Sequence, residues 1–254
     1  AERTTLDASL ADEDIVLVVP NDDDRTYAKV RLDAASTDAA ATGLSTIDDA
    51  LARAVIWAAL WDATRDGELP VARYLAVVAR HAPAETNAAL LADALAHADV
   101  AIGHYATDEL RPGFAAGWVE TCWNALQAAA PGSDAQLAWA RALGAAAARS
   151  DVHAPDLAAI LAGDAPAPAG LPLDADLRWS WLTGLSATGH ATIADADAQL
   201  AADRRAVLAV KGDVEDAGAE LLRHLGLQSL HPFRVDEAAT LHILDRRRQH
   251  TQLP

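Results

Sequence analysis

From Ser45 to Arg205 the sequence repeats one grammar: a capping residue, an apolar phrase of helical period, and a short connector. No other feature constrains the fold as strongly. "STIDDALARAVIWAALWDATRDG" opens on Ser45 or Thr46 as N-cap, each with an aspartate three residues on, and stops at Gly67. Pro70 suits the first turn of the next helix, "PVARYLAVVARH", which ends before Pro83. Further helices are predicted in "ETNAALLADALAHADVAI", "RPGFAAGWVETCWNALQAAA", "SDAQLAWARALGAAAARS", "PDLAAILAG", "DADLRWSWLTGLSATG" and "TIADADAQLAADRR". Connectors this short favour antiparallel neighbours stacked in series. No fixed repeat length survives alignment. The expected fold is therefore mainly α, an irregular HEAT-like solenoid of antiparallel helical pairs.

The first residues read differently. "DIVLVVP" (14–20) is a β-branched run of the kind that forms a buried strand, and Tyr27, Lys29 and Arg31 alternate with Ala28, Val30 and Leu32 as in a half-buried one. Between them stand Asp22, Asp23 and Asp24. A calcium loop needs ligands at alternate positions and a glycine at the bend, and this stretch has neither. Asn and Asp bond their own backbone, so the aspartates are expected to turn a short N-terminal β-hairpin. The domain boundaries that follow are 1–34 for the hairpin and 35–254 for the helical region, with 206–254 a divergent or truncated tail.

A formal charge of −17 disfavours a nucleic-acid backbone or an anionic membrane as partner. No apolar run approaches the ~18 residues of a membrane span and no signal-peptide core opens the chain, so the cytoplasm is the expected compartment. The lone Cys122 lies in an apolar helical pattern and reads as a buried structural thiol. The chain opens at Ala1 and contains no methionine, which predicts a processed start or a cut from something longer.

Motifs for catalysis are missing. None of the nine histidines precedes a glutamate, so the H-E-x-x-H zinc helix is absent. His97 with His104, and His224 with His231, are seven apart and lack a carboxylate at matching spacing; surface or helix-end roles are expected. Gly184 to Gly189 has one residue too many for a nucleophile elbow, and no phosphate-binding glycine loop occurs. The seven tryptophans fall mostly in helical patterns, and core packing is the plain reading of them.

"PNDDDRTYAKVRLD" followed by "DDALARAVIWAALWDATRDGEL" resembles the zinc aminopeptidases of the aminopeptidase N family, in particular the actinobacterial type. There a similar phrase closes the small β-sandwich domain and a tryptophan-rich segment follows, which Trp57, Trp61, Asp62, Thr64, Arg65 and Asp66 match. "PGSDAQLAWARAL" and "LRWSWLTGLSATG" resemble later segments in the right order, so the likeness runs over roughly residues 10–205. The resemblance implies a four-domain zinc exopeptidase. Its zinc helix and the loop that grips the substrate's amino end lie in an upstream catalytic domain, so no catalytic or metal residue transfers to this chain.

On that resemblance the chain is expected to be the non-catalytic, substrate-gating C-terminal region of such an enzyme, inactive alone. Its partners would be a peptide substrate and an aminopeptidase catalytic domain, and zinc would belong to the latter. Tyr105, Arg111, Trp118 and Arg141 are the candidate groove-lining residues. The resemblance fades after about residue 205, and a solenoid without its cap exposes an apolar face and is expected to self-associate. The alternative is a stand-alone helical-repeat module that binds a peptide or protein without catalysis. A self-contained hydrolase built from dispersed acids has no support in the spacing.

Overall fold

The computed structural model describes residues 15–206. The chain divides into two units, 1–196 and 197–254. Eight helices of the first unit order its described part: α1 (Ala34–Gly43), α2 (Ala50–Arg65), α3 (Val71–His81), α4 (Ala88–Val100), α5 (Arg111–Ala128), α6 (Asp134–Ala146), α7 (Ala154–Ala162) and α8 (Ala175–Ala187). A further helical stretch, 193–206, begins after Thr192, whose N–H donates to Asp195 while Asp195 N–H returns to the Thr192 hydroxyl. Of the second unit, residues 197–206 are described and are helical.

Although α3, α5 and α7 start without a side-chain cap, the other five helices start where a side-chain oxygen takes up an orphan backbone N–H. Asp33, Asp49, Asn87, Ser133 and Asp174 cap α1, α2, α4, α6 and α8 in this way. The start of α2 is therefore Asp49, not Ser45 or Thr46, which sit in a 3₁₀ turn at Leu44–Thr46. α1 falls where no helix was expected. "AASTDAAATG" carries no large apolar residue to mark a helical stripe, yet it buries Ser36 and Ala40.

The N-terminal hairpin is not formed: no strand occurs among the described residues. The turn itself is present. Asp22–Asp24 make a single 3₁₀ turn in which Asn21, Asp23 and Asp24 have positive φ, and Asn21 closes it by bonding Thr26 N–H, the Thr26 carbonyl and Asp24. Its flanks run without a ladder, because two strands alone are marginal without a sheet to join. Leu17, Val19 and Leu32 instead pack on the helical core, and Val18 N–H donates to Ser36 Oγ at 3.0 Å.

The helices contact one another in two ranks. α2, α4, α6 and α8 touch in series, as do α1, α3 and α5, while α2–α3, α3–α4, α5–α6 and α7–α8 join the ranks. Between them lies one apolar core with Ile56, Leu60, Tyr74, Leu91, Val119, Leu126, Trp139, Leu143, Leu157 and Trp181. The α6–α8 crossing is the tightest. Gly144 and Gly184 face one another there, and a Cβ on Gly144 would stand 2.5 Å from Ser180 Oγ and 2.8 Å from Trp181 Cδ1. Trp181 Nε1 donates across the same contact to the Ala140 carbonyl at 2.8 Å.

Candidate functional site on the α5–α7 face

α5 and α7 meet through one histidine. His153 precedes α7 with φ 58°, a conformation uncommon for a side chain of this size, and Pro155 follows in the first turn. This geometry directs the imidazole between two carboxylates. Its Nε2 lies 2.9 Å from Glu120 Oε2 on α5 and its Nδ1 lies 2.8 Å from Asp156 Oδ2 on α7. A neutral ring can donate to only one of them, and the imidazolium to both. The hydrogen bond from His153, aided by Asn124, holds the Glu120 carboxyl below the usual carboxylate range. The imidazole also stacks on Trp123, centroids 4.4 Å apart and planes 11° from parallel.

Beyond Trp123 a cavity of about 380 Å³ opens. Trp123 and Gln127 of α5, Asp156 and Ile160 of α7, and the 165–169 loop line it. Two prolines, Pro166 and Pro168, stiffen that loop, and the Gln136 side chain pins it by donating to the Ala169 carbonyl at 3.0 Å. His153, which stacks on Trp123, is not part of the lining. Asp156 Oδ1 accepts no hydrogen bond from a described residue, and the Trp123 indole N–H and the Gln127 side chain make none with one. The arrangement gathers an aromatic ring, apolar side chains, a carboxylate and a neutral amide around one concavity.

A second aromatic group centres on Trp61. His97 stacks on it at 4.4 Å and 7°, Tyr105 meets it edge-on at 5.7 Å, and Tyr74 lies behind. Burial pushes the His97 imidazole below its ordinary pKa, against the pull of Asp93. The π turn Ala101–Tyr105 carries Tyr105 out to 39% exposure. Arg111 grips the same corner, donating to the carbonyls of Ile102 and Ala106 and pairing with Asp108.

Of the four groove candidates, the structure thus brings Tyr105 and Arg111 to one corner. Trp118 is 3% exposed and packs on Trp139, while Arg141 is exposed on α6. Trp118 Nε1 and Tyr74 Oη are buried without a hydrogen-bond partner among the described residues. The Trp123–His153 stack and the cavity beside Trp123 escaped the sequence reading. The one local trace is the His153-x-x-Asp156 spacing at a helix start, since Glu120 and Trp123 stand thirty or more residues away.

The zinc implied by the resemblance has no seat here: among the described residues no group of three or more His, Cys, Asp or Glu could hold a metal ion. No helix among them is long and apolar enough to cross a membrane. His224, His231 and the expected divergent tail lie outside the described residues, apart from residue 206.

A mainly helical domain is the class these features define. The sequence profile of the ERAP1-like C-terminal domain matches residues 17–223, and the chain belongs to that family. It is also 39% identical over 170 residues to an aminopeptidase N of Streptomyces lividans. That alignment takes in 67% of this chain and 20% of the relative, its C-terminal part, so the chain spans about a fifth of the protein it matches.

Proposed function

We propose that this chain is the substrate-gating C-terminal region of a zinc-dependent aminopeptidase, acting on peptides that an upstream catalytic domain trims from the amino end. The observation that carries the reading is the alignment with the C-terminal fifth of an aminopeptidase N, over a chain whose described residues assemble no metal site. Zinc and its ligands belong to the catalytic domain.

Residues 1–34 then belong with a β-sandwich and residues 35–254 with the helical domain. One feature supports that division: Ile15, Val16, Val18 and Tyr27 are exposed on strand-patterned flanks that find no sheet among the described residues. The two ranks of helices form an irregular HEAT-like solenoid whose groove includes the corner of Tyr105 and Arg111, with Trp118 beneath the surface and Arg141 on α6.

The test is a chimera of the Streptomyces protein in which this chain replaces the matched C-terminal region. The chimera should discriminate peptides by length in kcat/KM, whereas the enzyme truncated before that region should not. Indistinguishable length profiles would contradict gating and favour a module with a separate binding role.

A further inference from the structure

The cavity beside Trp123 has a specific chemistry. Its one charged lining group is Asp156, of which one oxygen is engaged by His153 and the other is free of hydrogen bonds from described residues. The neighbouring Glu120 adds a second carboxylate, against the single imidazole of His153. The lining itself thus carries a single charged group, the Asp156 carboxylate, with Glu120 outside it. The indole of Trp123 lines the same cavity, and His153 stacks on that ring. Ile160 and the alanines and prolines of the 165–169 loop supply apolar side chains, and Gln127 a neutral amide.

We propose that this cavity is a subsite for a cationic side chain, lysine or arginine, of a bound peptide. The proposal rests on the peptide-handling reading above and adds a chemical preference to it. A long aliphatic stem lies along Ile160 and the loop, and its charged head reaches Asp156 and the face of Trp123. An anionic side chain would meet an unneutralised carboxylate. A purely apolar one would leave the Asp156 oxygen desolvated and unpaired. Asp156 is partly exposed, its side chain at 57%, so the preference is moderate and not absolute.

The full 254-residue chain, labelled with nitrogen-15, tests this by titration with Nα-acetyl-lysine amide and, separately, Nα-acetyl-norleucine amide. The readout is the Trp123 indole N–H signal, assigned by its loss in Trp123→Phe. The lysine probe should move that signal and bind about fivefold more tightly than norleucine. Gln127→Lys, which places a like charge on the exposed rim, and Asp156→Asn should each remove the preference while the remaining spectrum stays folded. Equal shifts from both probes, no shift at Trp123, or a preference untouched by both variants would overturn the subsite.

A neutral alanine-based decapeptide separates this outcome from the broader reading. If it perturbs other signals while the lysine probe leaves Trp123 unmoved, the subsite falls and peptide handling stands. If the lysine probe moves Trp123 but no decapeptide, neutral or lysine-bearing, binds, the cavity takes a free cation only, and the peptide subsite falls together with peptide handling.

Discussion

Arg53 and Glu85 form a buried two-point ion pair: Arg53 Nε and Nη2 donate to the two carboxylate oxygens of Glu85 at 3.0 and 2.8 Å. Arg53 also donates to the carbonyls of Ile47 and Asp48, and Glu85 accepts from Asn87 N–H. The pair therefore ties α2 to the chain entering it and to the loop before α4. Burial pushes the Glu85 carboxyl up, but Arg53 and Asn87 outweigh it and hold the group below its ordinary pKa.

Glu85→Gln should destabilise the chain by about 3 kcal/mol, because it leaves the guanidinium buried without its counter-charge. Arg53→Met with Glu85→Leu should recover only part of this, since the two carbonyls and Asn87 N–H lose their partners. A carboxyl whose folded pKa is depressed contributes stability above its unfolded pKa and loses it as pH falls through the folded value. The gap between parent and Glu85→Gln, measured by urea unfolding, should thus be widest near neutral pH and close on acidification.

Asp66 holds the N-terminal segment through Lys29 and Arg31, and Arg31 also reaches Glu68 at 2.8 Å. Those hydrogen bonds, Lys29 first, keep the Asp66 carboxyl below its ordinary pKa. Asp66→Asn should leave the melting temperature nearly unchanged and speed hydrogen exchange and proteolysis over residues 15–33. Acidification through the folded pKa of Asp66 should release the segment in the parent in the same way.

Gly184 sits where α8 crosses α6, and a Cβ there would run into the Gly144 carbonyl oxygen. Alanine is better than glycine in a helix by roughly 1 kcal/mol, so propensity alone predicts a gain from Gly184→Ala. Overpacking costs typically about 1–3 kcal/mol, and here the obstacle is backbone. The variant should be less stable in thermal unfolding, whereas a net gain would show that the crossing opens freely.

Cys122 is fully buried in α5, and burial raises its thiol pKa well above the ordinary value. In the native chain a disulfide-exchange reagent should leave it unmodified, and should consume one thiol per chain once urea unfolds it.

How much of this could be read in the sequence depended on the range of the interaction. Helices with large apolar residues at helical spacing, α2 through α8, were legible because cap and stripe are local. Pro70 marked the start of α3 and Gly163 the end of α7, where φ is 85°. α1 was not legible, since alanines and small polar residues give no stripe. The flanks of the aspartate turn have strand period but find no sheet partner among the described residues. Trp57, Trp118, Trp139 and Trp181 are buried, as a core reading requires, while Trp61 and Trp123 are half-buried under histidines. Those stacks join residues about thirty positions apart, and no local pattern encodes such a contact. Gly184, which imitated a nucleophile elbow in sequence, proves to be a packing glycine.

Whether this chain is a non-catalytic part of a peptidase is tested most directly by turnover of fluorogenic amino-acid amides by the purified chain, with zinc determined on the same sample. No turnover above buffer and no stoichiometric zinc are expected. Turnover that rises with bound zinc and is lost on chelation would contradict the non-catalytic reading.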